Sequence, residues 1–187
     1  MSRKEFETAK ILISKGHLKE ARSILFPALE ANPQNTPLLF LLGVSLYESG
    51  QAEEALNYFN EAVEVQPKFS QAHFNIGTIL MERGDLKGAV KSLRQAHKFN
   101  SEDIDTLRNL CKTLIELDEP DRAIRVFQKV IAKNTRNPQL LLMYGLMLSE
   151  IGRWEASATS LRRVIRLKPE WPEAHLNLSS VLLKLDD

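Results

Sequence analysis

Apolar, small and polar positions recur along this chain at a fixed interval of 34 residues. When Ser2 is taken as the first place of the repeating unit, the eighth place is always small: Ala9, Gly43, Gly77, Cys111, Gly145 and Ser179. The eleventh place is always leucine: Leu12, Leu46, Leu80, Leu114, Leu148 and Leu182. Apolar places within a unit follow helical spacing, which predicts a first helix such as residues 37–49 and a second such as residues 53–65. Each unit is therefore predicted to be a helical hairpin.

The residues at the expected helix ends support these boundaries. Glycine, which adopts positive φ without strain, stands where the first helix of four units should end: Gly16, Gly50, Gly84 and Gly152. Asp118 takes that place in the fourth unit. Thr36 and Asn137, each followed by proline, are predicted to be N-caps. Pro120 is predicted to begin the second helix of the fourth unit.

One unit shows the whole pattern: Leu39, Leu42, Gly43, Leu46, Gly50, Ala55, Phe59, Ala62 and Pro67. The pattern resembles the tetratricopeptide repeat family, and the resemblance covers residues 2–185. It implies an all-α fold, a right-handed α-solenoid of stacked helical hairpins. The expected single domain, residues 1–187, consists of five repeats and a terminal helix: residues 2–35, 36–69, 70–103, 104–137, 138–171 and 172–187.

Composition narrows the class of protein. With 43% hydrophobic residues in 187, the chain can bury a continuous core, yet no apolar run approaches the length of a membrane span. The first ten residues lack an apolar signal region, and a single cysteine provides no disulfide framework, so a soluble cytoplasmic protein is expected. A net charge of +1 argues against a nucleic-acid partner.

No catalytic constellation emerges from the sequence. It contains no Gly-rich phosphate loop, no nucleophile elbow and no paired-histidine zinc helix. His73 and His175 fall at the fourth place, where leucine stands in other units, and we interpret them as packing residues. Cys111 occupies the small eighth place, which favours a buried thiol over a nucleophile. We expect no enzyme activity, no metal site and no cofactor.

Function is expected in a groove, because the family resemblance implies that the first helices line a concave face. The apolar residues at the implied ligand-facing places are Phe6, Phe40, Leu41, Val44, Tyr47, Phe74 and Met81. Three phenylalanines at the fifth place form a ladder that suits an apolar or aromatic anchor on a partner segment. The alternative is that these rings pack between neighbouring helices.

Polar groove residues form a second group: Asn75, Arg108, Asn109, Lys112 and Asn177. Their amide and cationic donors suit an anion or a peptide backbone. The asparagines at the sixth place resemble the asparagine ladder in the repeats of the O-linked N-acetylglucosamine transferase. Glu7, Leu41 and Met143 interrupt that ladder here, so a continuous backbone clamp is not expected.

Acidic residues recur near the C-terminal ends of four first helices: Glu48, Glu82, Glu116 and Glu150. A carboxylate there is unfavourable by about 0.3 to 1 kcal/mol because it opposes the helix dipole. One interpretation is an acidic ridge that steers a partner bearing Lys or Arg. The other is a solvated ridge tolerated at small cost.

The second helices also differ in charge. In one of them the charged residues are all acidic, namely Glu53, Glu54, Glu61 and Glu64. Another carries the basic residues Lys87, Lys91, Arg94 and Lys98, and a third carries Arg162, Arg163, Arg166 and Lys168. An outer face zoned by charge and an ordinary solvated face are both open interpretations.

The last helix, over residues 173–185, keeps apolar residues that in complete units pack against a following helix: Leu178, Val181, Leu182 and Leu185. We expect a second copy, a partner or further chain to cover them. The predicted function is a non-catalytic scaffold or adaptor that binds a protein or peptide segment in its groove. The alternatives are an N-terminal recognition module of a larger protein, such as a glycosyl- or sulfotransferase, and a homodimer.

Overall fold

A computed structural model describes residues 2–186, and eleven α-helices occupy that range. The first helices of the repeats and the terminal helix are α1 (Arg3–Ser14), α3 (Thr36–Glu48), α5 (Ser70–Glu82), α7 (Ile104–Glu116), α9 (Pro138–Glu150) and α11 (Pro172–Asp186). The second helices are α2 (Leu18–Ala31), α4 (Ala52–Val65), α6 (Leu86–Phe99), α8 (Pro120–Lys133) and α10 (Trp154–Leu167). Each second helix begins 34 residues after the one before it. The predicted all-α helical repeat fold is confirmed.

The turn that closes each hairpin depends on one residue with positive φ. This residue is glycine at four turns, with φ between 72° and 81°, and Asp118 at the fifth, with φ of 60°. At the second hairpin, the N–H of Gly50 donates to the carbonyl of Tyr47, and the N–H of Gln51 donates to the carbonyl of Leu46. These bonds satisfy the last carbonyls of α3, so the chain reverses at once into α4.

One of the two predicted N-caps is wrong by one residue. Asn137 caps α9 by accepting a hydrogen bond from the N–H of Leu140, as predicted. Thr36, however, lies inside α3 and is buried, and Asn35 caps that helix by accepting from the N–H of Leu38. Asn35 and Asn137 share the last place of the repeat, so the repeat register favoured Asn35. Pro120 begins α8, as predicted.

Packing inside each hairpin explains the small eighth place. A Cβ atom added to Gly43 would lie 2.6 Å from the ring of Phe59, and one added to Gly77 would lie 2.6 Å from Leu93. Phe59 and Leu93 stand at the same place of their repeats and are fully buried. The two helices of a hairpin therefore approach closely where a small residue of the first faces a large residue of the second.

Residue contacts divide the chain into two compact units, the first ending at Asn109 and the second beginning at Leu110. In the first unit, one buried cluster formed by α1, α2 and α3 contains Ala9, Leu25 and Leu42. The next cluster, formed by α3, α4 and α5, contains Leu46, Phe59, Ala72 and Ile79. Neighbouring repeats in this unit thus share a core through α3.

The second unit is built around α9, which contacts α8, α10 and α11. Its fully buried side chains include Leu141, Leu161 and Val164. Two buried serines of α10 are satisfied by main-chain carbonyls. The hydroxyl of Ser157 donates to the carbonyl of Gly145 at 2.7 Å, and Ser160 donates to the carbonyl of Leu141 at 2.8 Å.

The two histidines at the fourth place hold turns together. Nε2 of His73 lies 2.9 Å from the carbonyl oxygen of Pro67, and Nε2 of His175 lies 2.6 Å from that of Pro169. Because a carbonyl oxygen only accepts, each imidazole donates from Nε2. Both histidines therefore link the first turn of a helix to the turn that precedes it.

Cys111 has the environment of a packing residue. It is buried, its Sγ lies 3.8 Å from the carbonyl oxygen of Ala123, and burial raises the pKa of its thiol to about 12. The thiol stays protonated near neutral pH, and a protonated thiol is a poor nucleophile. Over residues 2–186, no group of three His, Cys, Asp or Glu side chains is placed to hold a metal ion, and no helix combines the length and apolar character of a membrane span.

Candidate functional site

The three phenylalanines of the predicted ladder are half-buried on the first helices of the first unit. Phe40 is the most deeply integrated. Its ring centroid lies 5.7 Å from that of Phe59 and 5.1 Å, edge to face, from that of Phe69. It packs against both clusters of the first unit. Phe40 therefore serves the core as well as the surface.

Phe6 and Phe74 differ from Phe40 because each lines an open cleft. Phe6 borders a cleft of about 350 Å³ with Arg3, Asn35 and Leu38. Phe74 borders a cleft of about 290 Å³, whose other lining residues are Ser70, Gln71, Asn100, Asp103, Asp105 and Thr106. The two clefts use equivalent places of the first and third repeats.

In the second repeat, Phe69 stands where the other two repeats have Asn35 and Asp103. The ring of Phe69 packs against Phe40. At this place an aromatic side chain packs on the phenylalanine of the fifth place, whereas Asn35 and Asp103 line a cleft beside it.

The remaining apolar groove residues are less open than the sequence suggests. Leu41 is only 9% exposed and belongs to the core cluster between α1 and α3. Val44, Tyr47 and Met81 are half-buried. The hydroxyl of Tyr47 donates to a carboxylate oxygen of Glu82 at 2.5 Å, which joins α3 to α5 across the surface. Burial, followed by this hydrogen bond and the charge of Glu82, raises the pKa of Tyr47 to about 12.

The polar residues of the first unit engage one another. Nδ2 of Asn75 donates to the carbonyl of Gln71 at 2.9 Å, and Nδ2 of Asn109 lies 3.5 Å from the hydroxyl of Thr78. The guanidinium of Arg108 lies 2.6 Å from Asp105, yet both side chains are more than half exposed. An exposed pair of this kind contributes about 0 to 1 kcal/mol, so Arg108 can exchange its partner for a ligand.

Two of the predicted polar residues belong to the second unit. Lys112 is exposed and its Nζ lies 3.8 Å from Glu116. Nδ2 of Asn177 donates to the carbonyl of Glu173 at 2.7 Å, which is the bond that Asn75 makes with Gln71. Asn75 and Asn177 thus use a side-chain N–H on their own helices and leave the side-chain oxygen to accept, whereas Asn109, also at the sixth place, directs its amide to Thr78 of α5.

The four glutamates of the predicted acidic ridge are all exposed. They differ in their partners. Glu82 accepts from Tyr47, and Glu116 lies beside Lys112. Glu48 and Glu150 make no ion pair within residues 2–186.

On α11, burial differs from the expected pattern. Val181 is only 2% exposed because it packs back toward the preceding repeat, so it belongs to the core and is not accessible to a second copy. Leu178, Leu182 and Leu185 are half-buried. The most exposed leucines are Leu176 at 72% and Leu183 at 68%, which the sequence interpretation missed. Their places, the fifth and twelfth, are those of Phe6 and Tyr47, and this equivalence could have identified them.

Three solved structures show the same architecture at low sequence identity. MamA is 18% identical with a TM-score of 0.71, and the match covers 87% of this chain and 95% of that one. YrrB, a TPR protein with an unusual peptide-binding site, is 18% identical with a TM-score of 0.66, over 87% and 84%. PilF of Pseudomonas aeruginosa is 20% identical with a TM-score of 0.69, over 97% and 88%. These likenesses establish the fold.

Sequence models supply the family. No curated protein matches the chain in sequence. One tetratricopeptide repeat model matches residues 6–64 and 40–103, and a second matches residues 80–147. Together these matches span residues 6–147, which is most of the chain. They include every residue given above as lining the two clefts except Arg3. The chain belongs to the tetratricopeptide repeat family.

Proposed function

We propose that this protein is a non-catalytic interaction scaffold whose first unit binds an extended segment of a partner protein along its first helices. The two clefts beside Phe6 and Phe74 carry this proposal. Each presents the side of an aromatic ring within a recess of a size that suits one apolar or aromatic side chain. An extended segment that places such side chains in both clefts would be anchored at two points.

The polar residues around the clefts indicate which other groups of the partner segment would be bound. The side-chain carbonyl of Asn75 and the exposed guanidinium of Arg108 lie on the helices that flank the Phe74 cleft. They supply an acceptor for peptide N–H groups and a donor for peptide carbonyls. Glu48 and Glu82 add negative charge to the ends of α3 and α5, which favours a segment with Lys or Arg beside its apolar anchors. In the second unit, we propose that Lys112 and Asn177 likewise hydrogen-bond to the backbone of a bound segment. Glu116 and Glu150 would likewise favour Lys or Arg in that segment.

The likeness in fold to YrrB, a TPR protein with a peptide-binding site, supports this proposal. In the present chain, the anchoring residues are Phe6 and Phe74, since Phe40 is held in the core and Leu41 is buried. The proposed activity is binding without chemical conversion, because His73, His175 and Cys111 make structural contacts.

A random peptide library displayed on phage provides the test. Immobilised wild-type protein should select peptides that carry an aromatic or large aliphatic residue, and synthetic versions should bind in fluorescence polarisation. Phe74→Ala should weaken the selected peptides by about tenfold or more, as expected for a buried aromatic anchor. Lys129→Ala, an exposed change on α8 in the second unit, is the matched control and should leave binding unchanged. Equal affinity for the wild type and the Phe74→Ala variant would contradict the proposal.

A further inference from the structure

Two outer helices of the first unit carry exposed charges of a single sign. On α4, the charged residues are all acidic: Glu53, Glu54, Glu61 and Glu64. On α6, they are all basic: Lys87, Lys91, Arg94 and Lys98. We call these the acidic strip and the basic strip. Helices that simply face solvent usually mix both signs at neighbouring positions, where they stabilise the helix.

Neither strip is neutralised by the other within the chain. Over residues 2–186, no ion pair joins α4 to α6. Glu53 pairs with Arg83 at 2.9 Å, and Glu54 accepts from the amide of Gln51 at 3.0 Å. Within the described range, the other six charges of the two strips form no ion pair. Close like charges are unfavourable along both helices, so a partner of opposite sign would relieve each strip.

The acidic strip also acts on its own surroundings. Tyr58 lies on α4 between its glutamates, and its pKa is raised by burial first, and then by the charges of Glu61 and Glu54. The charges of Glu61 and Glu54 therefore act on the half-buried phenol of Tyr58 on the same helix.

The two strips lie side by side on one face of the unit. Helices α4 and α6 both pack on α5 and are joined to it by short turns, so they run parallel to each other. They bury equivalent places, Ala55 with Ala89 and Phe59 with Leu93, and hence expose equivalent places as well. Glu53 and Lys87 share one place of the repeat, and Glu64 and Lys98 share another.

We propose that this face mediates self-association, with the acidic strip of each copy lying on the basic strip of the other in a two-fold symmetric dimer. A two-fold axis that lies in the interface, along the helices, sets α4 parallel to α6 of the second copy. Glu53 then lies toward Lys87 of the second copy, and Glu64 toward its Lys98. The same contacts occur twice, so the interface is closed and does not propagate into a filament.

A second copy fits this face better than a partner of one sign. An acidic or a basic partner would neutralise one strip and repel the other. Full complementarity requires two parallel strips of opposite charge at the spacing of neighbouring repeats, and another molecule of this chain presents them by symmetry. Because each contact is an exposed ion pair, the dimer should be weak, reversible and sensitive to salt.

Sedimentation velocity of the full chain tests this proposal. Wild-type protein should associate to a dimer at about 0.05 M salt and dissociate at about 0.5 M, where screening is several-fold stronger. Glu61→Lys with Glu64→Lys leaves α4 with two charges of each sign, and Lys91→Glu with Arg94→Glu does the same to α6. Each double variant should be monomeric at low salt, whereas an equimolar mixture of the two should form a heterodimer. A variant with all four changes again opposes unlike charges at the changed positions and should regain the dimer.

Matched controls separate this contact from nonspecific charge effects. Glu102→Lys with Glu170→Lys changes the net charge as much as the α4 reversal does, at exposed turn residues outside the strips, and should leave the dimer intact. Circular dichroism should show native helix content for every variant. Phe74→Ala should also leave the dimer intact, so its outcome and that of the peptide-binding test are independent.

Three results would overturn the proposal. The first is wild-type protein that remains monomeric at low salt. The second is association that survives both double changes and high salt, which would place the contact elsewhere, for example on Leu176 and Leu183 of α11. The third is a folded four-change variant that stays monomeric.

Discussion

Inside the second and third hairpins, Gly43 faces Phe59 and Gly77 faces Leu93, with the same close approach in both. The junctions that follow these two hairpins are not alike. After the second, Phe69 packs against Phe40, whereas after the third, the equivalent Asp103 caps α7 and leaves a cleft beside Phe74. A hairpin interior is closed on all sides, so its residues must fit each other. A junction is open to solvent on one side, so its residues can change and create binding surfaces.

The sharpest test of the hairpin interior is Gly43→Ala. The new Cβ would lie 2.6 Å from the ring of Phe59, which is fully buried and has no room to move. Overpacking of this kind should lower the free energy of unfolding by about 2 kcal/mol. Alanine stabilises a helix by up to about 1 kcal/mol relative to glycine, so the loss outweighs this gain. Urea unfolding followed by circular dichroism measures the difference.

Two comparisons keep this test specific. Gly145→Ala should be nearly neutral, because its Cβ would meet Leu161 at 3.0 Å, a looser contact with a side chain that can adjust. Adding Phe59→Leu to Gly43→Ala should recover stability, since Ala9 and Leu25 form that combination in the first repeat. If Gly43→Ala were as stable as the wild type, the hairpin interior would have room for an extra methyl group beside Phe59.

A smaller effect is expected at the junction after the third hairpin. Asp103 accepts from the backbone N–H of Thr106 at 3.1 Å and from the Thr106 hydroxyl. Asp103→Ala removes this cap and should lower the free energy of unfolding by about 1 kcal/mol. Asp103→Asn should be nearly neutral, because asparagine caps a helix about as well as aspartate does. The same urea titration distinguishes the two, and equal losses would show that charge matters here and capping does not.

The contrast between interior and junction also explains how much the sequence could predict. Interior places repeat, so the interval of 34 residues predicted the helices of the second repeat to within one residue at each end. Junction and surface places do not repeat, and predictions there were less accurate. Thr36 precedes a proline, as Asn137 does, but the cap of α3 is Asn35, which shares its place in the repeat with Asn137.

Site residues were the least predictable part, for two physical reasons. The sequence places Asn75 on the groove but cannot indicate that its amide donates to the carbonyl of Gln71, since this depends on the rotamer. Burial also depends on neighbours from other repeats, which explains why Leu41 and Val181 are in the core. Leu183, by contrast, was predictable, because it shares the place of Tyr47.

The smallest predicted effect concerns the bond between Tyr47 and Glu82, which crosses the surface from α3 to α5. Tyr47→Phe should lower the free energy of unfolding by about 0.5 to 1.5 kcal/mol at neutral pH, the usual contribution of one hydrogen bond. Burial, followed by this hydrogen bond and the charge of Glu82, raises the pKa of Tyr47, so the folded state favours the protonated phenol that donates the bond. Its contribution is therefore complete below pH 10 and is lost as the pH rises toward about 12.

The measurement is the stability difference between the wild type and Tyr47→Phe in urea, repeated across that pH range. Taking the difference cancels the titration of other groups that both proteins share. Tyr58→Phe is the matched control, because the pKa of Tyr58 is raised mainly by burial, with no hydrogen bond to a carboxylate among the causes. A Tyr47→Phe difference that persists unchanged above pH 12, or that is absent at neutral pH, would show that the two first helices are joined by packing alone and that the hydroxyl stays available to a ligand.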